Sequence, residues 1–313
     1  MVTAGGMAET RTGGGIAADT NRANALNTTH YDVAGTAHRV LGPMTLLDAR
    51  AAFGVTDHDH RHDAFLVVDR HATVLLETSL RISRGRHDLI AGAAIERESY
   101  DSRFLDALDF QYTTPALFAQ DQVQFGDRLT LSVSGRVDAH SEYGTFFSPR
   151  ASLLYRPVDD GSLRLATGGG FFPPTPFTDE TEEVGVTSAR GFAELQPETA
   201  RGVSADIAWF SEQAEVNATL FGSVVRDALD VTASDGIAEF SNRAGDTRTW
   251  GTELLARYRK EPLLITASHV FLNATEVEPS GERVRVPLTP RHSGGLVASL
   301  ESHERRRAGI ELY

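Results

Sequence analysis

The chain has no cysteine among its 313 residues. That excludes a disulfide scaffold, a thiolate-ligated zinc site and a cysteine nucleophile. It also lacks any apolar run approaching the roughly 18 to 20 residues of a membrane helix, so an all-helical membrane protein is excluded. A transmembrane β-barrel is not, because only alternate residues of its strands must be apolar. Positive charge is scarce: 30 Lys and Arg stand against 43 Asp and Glu, a formal net charge of -13. Phosphate backbones need clustered positive charge, so nucleic acid is excluded as the main partner. Residues 1–27 are rich in Gly, Ala, Thr and Asn and hold no apolar core of an export signal, about 7 to 15 residues long. The expectation is a disordered or residual segment over 1–27 ahead of one domain over 28–313. By that reading the chain is either cytoplasmic or a piece of something longer, since Gly309–Tyr313 reads as strand interior. Hydrophobic residues at 41% and charged residues at 23% are those of an ordered chain.

What is present in quantity is alternation. Leu129, Leu131, Val133, Gly135 and Val137 alternate with Thr130, Ser132, Ser134, Arg136 and Asp138. This period of two predicts a strand with one apolar and one polar face. The pattern returns at Leu47–Val55, Val74–Ile82, Val203–Trp209, Val216–Val224 and Trp250–Tyr258. Leu89–Glu98 carries small residues on its second face, and no helical period of useful length appears.

The breaks between strands alternate too. Short ones fall at Arg39–Pro43, Arg84–Arg86, Gly126–Asp127, Pro157–Gly161, Ser211–Glu215, Arg259–Pro262 and Ser302–Arg305, most with turn chemistry or a charged tip. Long ones are expected over 56–71, 99–115, 139–149, 171–198, 227–248 and 274–291. Long loops on one parity are the mark of a membrane barrel with tight turns at one rim. The expected fold is all-β: an antiparallel transmembrane β-barrel of about 14 strands, with Tyr155, Trp209, Trp250 and Tyr258 toward strand ends as aromatic girdles. A large soluble all-β protein shares the alternation but has no reason for the loop parity.

Several stretches carry a family likeness. They are Phe118-Ala119-Gln120-Asp121-Gln122 followed by Asp127–Leu131 and Gly135–Asp138, then Ser148-Pro149-Arg150, Gly168–Pro176, Leu195-Gln196-Pro197-Glu198, Asn242–Gly245 and Trp250–Leu254. In their order and spacing they resemble the C-terminal barrel of TonB-dependent outer-membrane receptors, over about 115–313 in motif and 28–114 in pattern. The resemblance implies a Gram-negative outer-membrane location, contact with membrane lipid and lipopolysaccharide, and coupling to the inner-membrane TonB energy complex through a plug domain. It implies uptake of a large, scarce nutrient (a ferric siderophore, cobalamin or a glycan) by a protein that is not an enzyme. It also implies a barrel of 22 strands, so the chain reads as an incomplete barrel without its plug or last strands. A passive porin-like barrel, and a soluble all-β binding protein or glycan-active enzyme, are the rival readings.

Candidate chemistry is sparse. His58, His60 and His62, with Asp59, Asp63 and His71 nearby, form the densest ligand-like group. In an extended segment these three histidines share a face but lie about 7 Å apart, too wide for one ion, and a solvated loop is the simpler reading. Asp179, Glu180, Glu182 and Glu183 read as a solvated acidic run. Gly168-Gly169-Gly170 lacks the Lys-Ser/Thr of a phosphate loop. Arg305-Arg306-Arg307 reads as a turn. With no Gly-x-Ser-x-Gly elbow, no catalytic residue, cofactor-binding residue, metal ligand or cofactor is assigned. The architectural candidates are the lumen-facing Arg128, Arg136, Asp138, Glu253 and Arg257, together with the 171–198 and 227–248 loops.

Overall fold

Alternation leaves each segment with one apolar face and a row of unmet backbone donors and acceptors. The chain meets that second demand by pairing each segment with the next. In the computed structural model, residues 1–17, 20–62, 65–103, 105–176, 188–234, 237–301 and 307–313 are described. The strands are β1 (Val2–Ala17), β2 (Thr20–Gly42), β3 (Thr45–His62), β4 (Phe65–Arg84), β5 (His87–Ser102), β6 (Phe110–Phe125), β7 (Leu129–His140), β8 (Gly144–Val158) and β9 (Gly161–Phe172). After a short β10 (Ser188–Arg190) come β11 (Glu198–Phe210), β12 (Ala214–Arg226), β13 (Leu229–Ser234), β14 (Ile237–Asn242), β15 (Thr247–Lys260) and β16 (Leu263–Val277). The chain ends with β17 (Arg283–Arg285), β18 (His292–Glu301) and β19 (Arg307–Leu312).

One continuous antiparallel sheet runs β1 through β9, then β11, β12, β15, β16, β18 and β19, with β17 attached to β16. Fourteen of the strands on that path, β2 to β19, are those anticipated from the sequence. The first, β1, stands where 1–27 was expected to be disordered or residual: Val2 to Ala17 pair with Gly35 to Thr20 without a break. Gly, Ala and Thr alternate too weakly to announce a strand, yet a ladder needs only their backbone groups.

The register holds the two faces in phase across strands. Leu131, Leu153, Leu165, Ala205 and Leu220 fall in one apolar row. Arg164, Asp206, Thr219 and Glu253 fall in the polar row beside it. The apolar face is not covered: Leu117 is 67% exposed, Val203 61% and Ile207 60%. Tyr155, Trp209 and Tyr258 lie on it close to the short turns, while Trp250, packed 5.1 Å from Phe271, lies toward the other rim. From Trp250 to Tyr258 is about 26 Å along the strand, or about 20 Å of height at a tilt near 40°, which fits inside an apolar band about 25 Å tall.

Two expected long loops are absent as loops. Over 56–71, β3 and β4 continue as a paired hairpin up to His62 and Phe65. Over 139–149, β7 and β8 close through the turn Ser141–Tyr143. Their polar, histidine-rich composition comes from strand ends that stand in water on both faces. The 227–248 and 274–291 segments also carry strand, as the β13–β14 hairpin and as β17. Strands β10, β13 and β14 make a second small sheet. It packs Ala238 and Phe240 with Phe192 and Leu195 onto Tyr100, Leu105, Leu108, Phe110 and Tyr112. This is the main buried cluster, and it sits at the long-loop rim on the polar side of the sheet.

Candidate lumenal site

Below that cluster the polar faces of β5 to β9 bound a cavity of about 520 Å³. Alternation along β5 to β8 brings most of its walls together, and the end of β9 closes it with consecutive residues. Glu96 and Glu98 are two apart on β5 and stand opposite Thr114 and Tyr112 of β6. Arg136 and Asp138 are two apart on β7, with Ser148 opposite Arg136 and Arg150 opposite Ser134. The β9 end contributes Gly170, Phe171 and Pro173. Phe171 stacks on Phe146, with ring centres 4.0 Å apart.

The site is charged on both signs. The Arg136 Nε donates to Asp138 Oδ1 at 2.8 Å, and its guanidinium lies 5.9 Å from the Phe118 ring centre. Asp138 is buried while Arg136 keeps about a third of its side chain in water. His71 Nε2 pairs with Glu98 Oε1 at 2.7 Å, and His58 Nδ1 with Asp69 Oδ1 at 3.1 Å. These pairs extend the polar wall across β3 and β4. At the top, His140 accepts from the amides of Glu142 and Tyr143 at 3.2 and 3.3 Å through Nδ1, so the proton of the neutral ring sits on Nε2. Burial holds this imidazole, above the membrane band at the last residue of β7, below its ordinary range. Burial likewise pushes the Tyr143 hydroxyl up. The Tyr112 and Tyr143 hydroxyls meet at 3.2 Å.

Arg136→Gln is expected to lower stability by about 1–2 kcal/mol, less than a fully buried pair because Arg136 is partly solvated. The check is the melting temperature of the detergent-folded protein beside Arg257→Gln, whose partner Glu215, 3.2 Å away, is half exposed.

Of the sequence-level candidates, Arg136 and Asp138 line this cavity. Glu253 and Arg257 share the polar face of β15, away from it. Arg128 is not on a strand face: it belongs to the turn after Gly126, its carbonyl accepting from the Arg156 amide at 2.7 Å. His58 and His60 lie on the polar face of β3 with His62 next in the same row, opposite Asp69, Val67 and Phe65 in turn. The His62 side chain, Asp63, the acidic run at 179–183 and Arg305-Arg306 lie outside the described residues or side chains. Among the described residues no group of three or more His, Asp or Glu is placed to hold a metal ion. Sequence reading missed Glu96, Glu98, Tyr112, His140 and Arg150. The available signal was phase: each has the parity of Arg136 once the strands are in register.

A two-faced antiparallel meander, apolar outside and lined with paired charges on the other face, defines a barrel-wall protein of the outer-membrane type. Residues 21–303 match the family described as TonB dependent receptor-like, beta-barrel, and the chain belongs to that family. No curated protein matches. Among solved structures, the FrpB iron transporter from Neisseria meningitidis (F5-1 variant, apoprotein form) is similar at 13% identity and a TM-score of 0.71, over 99% of this chain and 55% of that one. The ferric-catecholate import receptor Fiu from K12 E. coli is similar at 13% identity and a TM-score of 0.63, over 93% and 53%. The copper transporter OprC is similar at 12% identity and a TM-score of 0.71, over 91% and 55%. The chain therefore spans about half the length of these solved receptors.

Proposed function

We propose that residues 28–313, extended by β1, are barrel wall of an outer-membrane, TonB-dependent importer of a large, scarce nutrient. The observation that carries this reading is the uncovered apolar face, in phase across the whole sheet and bounded by aromatic residues near the short turns. In water such a surface is a liability; in hydrocarbon it is a requirement. Ferric and other metal chelates are the favoured cargo, because the similar solved proteins are described as iron, siderophore and copper receptors or transporters. The cavity chemistry is compatible: Arg136 and Arg150 offer forked donors to anionic oxygens, and Tyr112 and Phe171 offer flat apolar surface. Membrane lipid, lipopolysaccharide and the inner-membrane energy complex are the partners this reading requires.

The test is fractionation followed by uptake. The protein is expected to sediment with outer membrane and to need detergent for extraction. Cells bearing it are expected to take up iron chelates only while energised. Recovery as a detergent-free monomer with a cooperative melt favours the soluble reading, and uptake that survives a protonophore favours a passive pore.

A further inference from the structure

A pair of histidines stands on the apolar face at mid-height. The register sets Leu254 of β15 opposite His269 of β16, and Phe271 of β16 opposite His292 of β18. His269 and His292 therefore share the face of Trp250 and Tyr258. Leu254 lies midway between those two aromatics on β15, so His269 sits about 10 Å of height from either level at a tilt near 40°. Both histidines are exposed. His269 Nε2 and His292 Nδ1 meet at 3.2 Å, and the His292 ring packs 5.1 Å from the Phe271 ring.

These two differ from other histidines of the wall. His30, His38, His58, His71 and His87 each lie 2.7–3.5 Å from a carboxylate. On the apolar face of β11, β12, β15, β16 and β18 the register places no Asp or Glu, so among the described residues no carboxylate of these strands serves the pair. An ionisable group turned toward hydrocarbon is costly, and where one occurs it marks a function. Thr252 and Asn273 add two polar side chains to the same face beside it. Small residues adjoin the pair: Gly294 in the row of His269, and Ala256 and Ala267 in the next. A second protein surface can approach closely over such residues.

Two nitrogens bound to one tetrahedral ion of the zinc class stand about 3.3 Å apart, given metal–nitrogen lengths of about 2.0–2.1 Å. The two facing imidazole nitrogens already have that separation within 0.2 Å, at 3.2 Å. Neutral rings with their protons on His269 Nδ1 and His292 Nε2 leave a lone pair on each facing nitrogen, which one ion can share. Two positions of the tetrahedron then remain, and among the described residues no third His, Asp or Glu is placed to fill one. Water is scarce at this depth. Two copies inserted in the same direction are related by a two-fold axis along the membrane normal, which brings residues of equal height together. The complement of this pair is then the same pair. We propose that His269 and His292 are half of a four-imidazole site for a divalent transition-metal ion, and that the ion joins two copies of this chain wall to wall. The proposal rests on the outer-membrane reading above and adds an assembly to it.

The test uses the full chain folded in detergent and titrated with zinc chloride alone. Native mass spectrometry is expected to show a two-chain species carrying one zinc, which EDTA returns to monomer. His269→Gln and His292→Gln are each expected to lose that species, with circular dichroism verifying that both are folded. His38→Gln, on the opposite face, is the control and is expected to keep it. A monomer that binds zinc one to one, a chain with no bound zinc at molar excess, or equal dimer from the native chain and either variant overturns the proposal, as does loss of the dimer in the control. Outer-membrane location and energised uptake are measured separately. A protein that meets both and stays monomeric with zinc sinks this proposal and spares the importer reading.

Discussion

Val133→Arg is expected to cost roughly 2–4 kcal/mol and to cut the yield of folded protein sharply, because that position faces hydrocarbon near mid-height. Val133 is 48% exposed on the apolar face of β7, four residues into the strand from its short turn. Its neighbour Ser132 points the other way, opposite Ser152 and Gln122. Ser132→Arg on that wet face is expected to fold nearly as well as the native chain. The two variants share a strand and an introduced residue and differ in face; Asp121, opposite Val133 and already paired with His87, offers the new arginine one carboxylate, which places the expected cost toward the lower end of that range. Folded fraction is read from heat-modifiable gel mobility after refolding into detergent and into bilayers. The gap between the two variants should widen in bilayers, where the arginine has less freedom to reach water. Equal yields from the two would show that the exposed apolar face does not meet lipid.

Gly191→Ala is expected to detach the rim cluster while leaving the wall intact. Gly191 sits at φ 80° before the single helical turn Phe192–Glu194, a backbone region that disfavours any side chain. A Cβ there would also overlap the carbonyl oxygen of Phe240. Together these cost roughly 3 kcal/mol, charged to one loop. Phe192 and Leu195, only 5% and 2% exposed, would leave the aromatic bed of Phe110 and Tyr112. Limited proteolysis should then cut within 188–198 and 227–242, and amide exchange should rise there and not in β11 or β12. A uniform loss of protection instead would show that the cluster and the wall fold as one unit.

How much was legible follows from where each residue meets solvent. Within the apolar band, alternation is enforced by two different solvents, so β7, β11, β12 and β15 could be read directly from residues such as Leu129–Val137 and Val203–Trp209. The tight turns at Gly85, Gly126 and 159–160 were legible because φ above zero or a charged tip marks them. Above the band both faces are wet, alternation has no cause, and His58 to His62 or Ser141 to Tyr143 look like loop. The β1 strand was illegible for a related reason, since its Gly and Ala residues hardly distinguish one face from the other. The lumenal site was half visible. Arg136 and Asp138 lie in a clean strand, whereas Glu96 and Glu98 follow a run of small residues that masks the phase. A row of arginines across β11, β15 and β17 was hidden differently. In a linear reading Arg201 and Arg248 look like strand-end charges, and only the register puts them in one row with Arg285.

Unequal strand length gives the mouth of this wall a slant. Strands β2, β3 and β4 run for 23, 18 and 20 residues, while β7 and β9 have 12 each. At about 3.3 Å per residue and a tilt near 40°, the difference corresponds to roughly 15–28 Å of height. Paired backbone therefore stands higher at β2 to β4, while beyond β5 and β6 the height is supplied by the small sheet of β10, β13 and β14 and the Phe192–Glu194 turn packed on Phe110 and Tyr112. That packed cluster, and not strand, stands above the cavity that holds Arg136, Asp138 and Arg150, so one flank of the wall is raised by paired backbone and the other by a side-chain core.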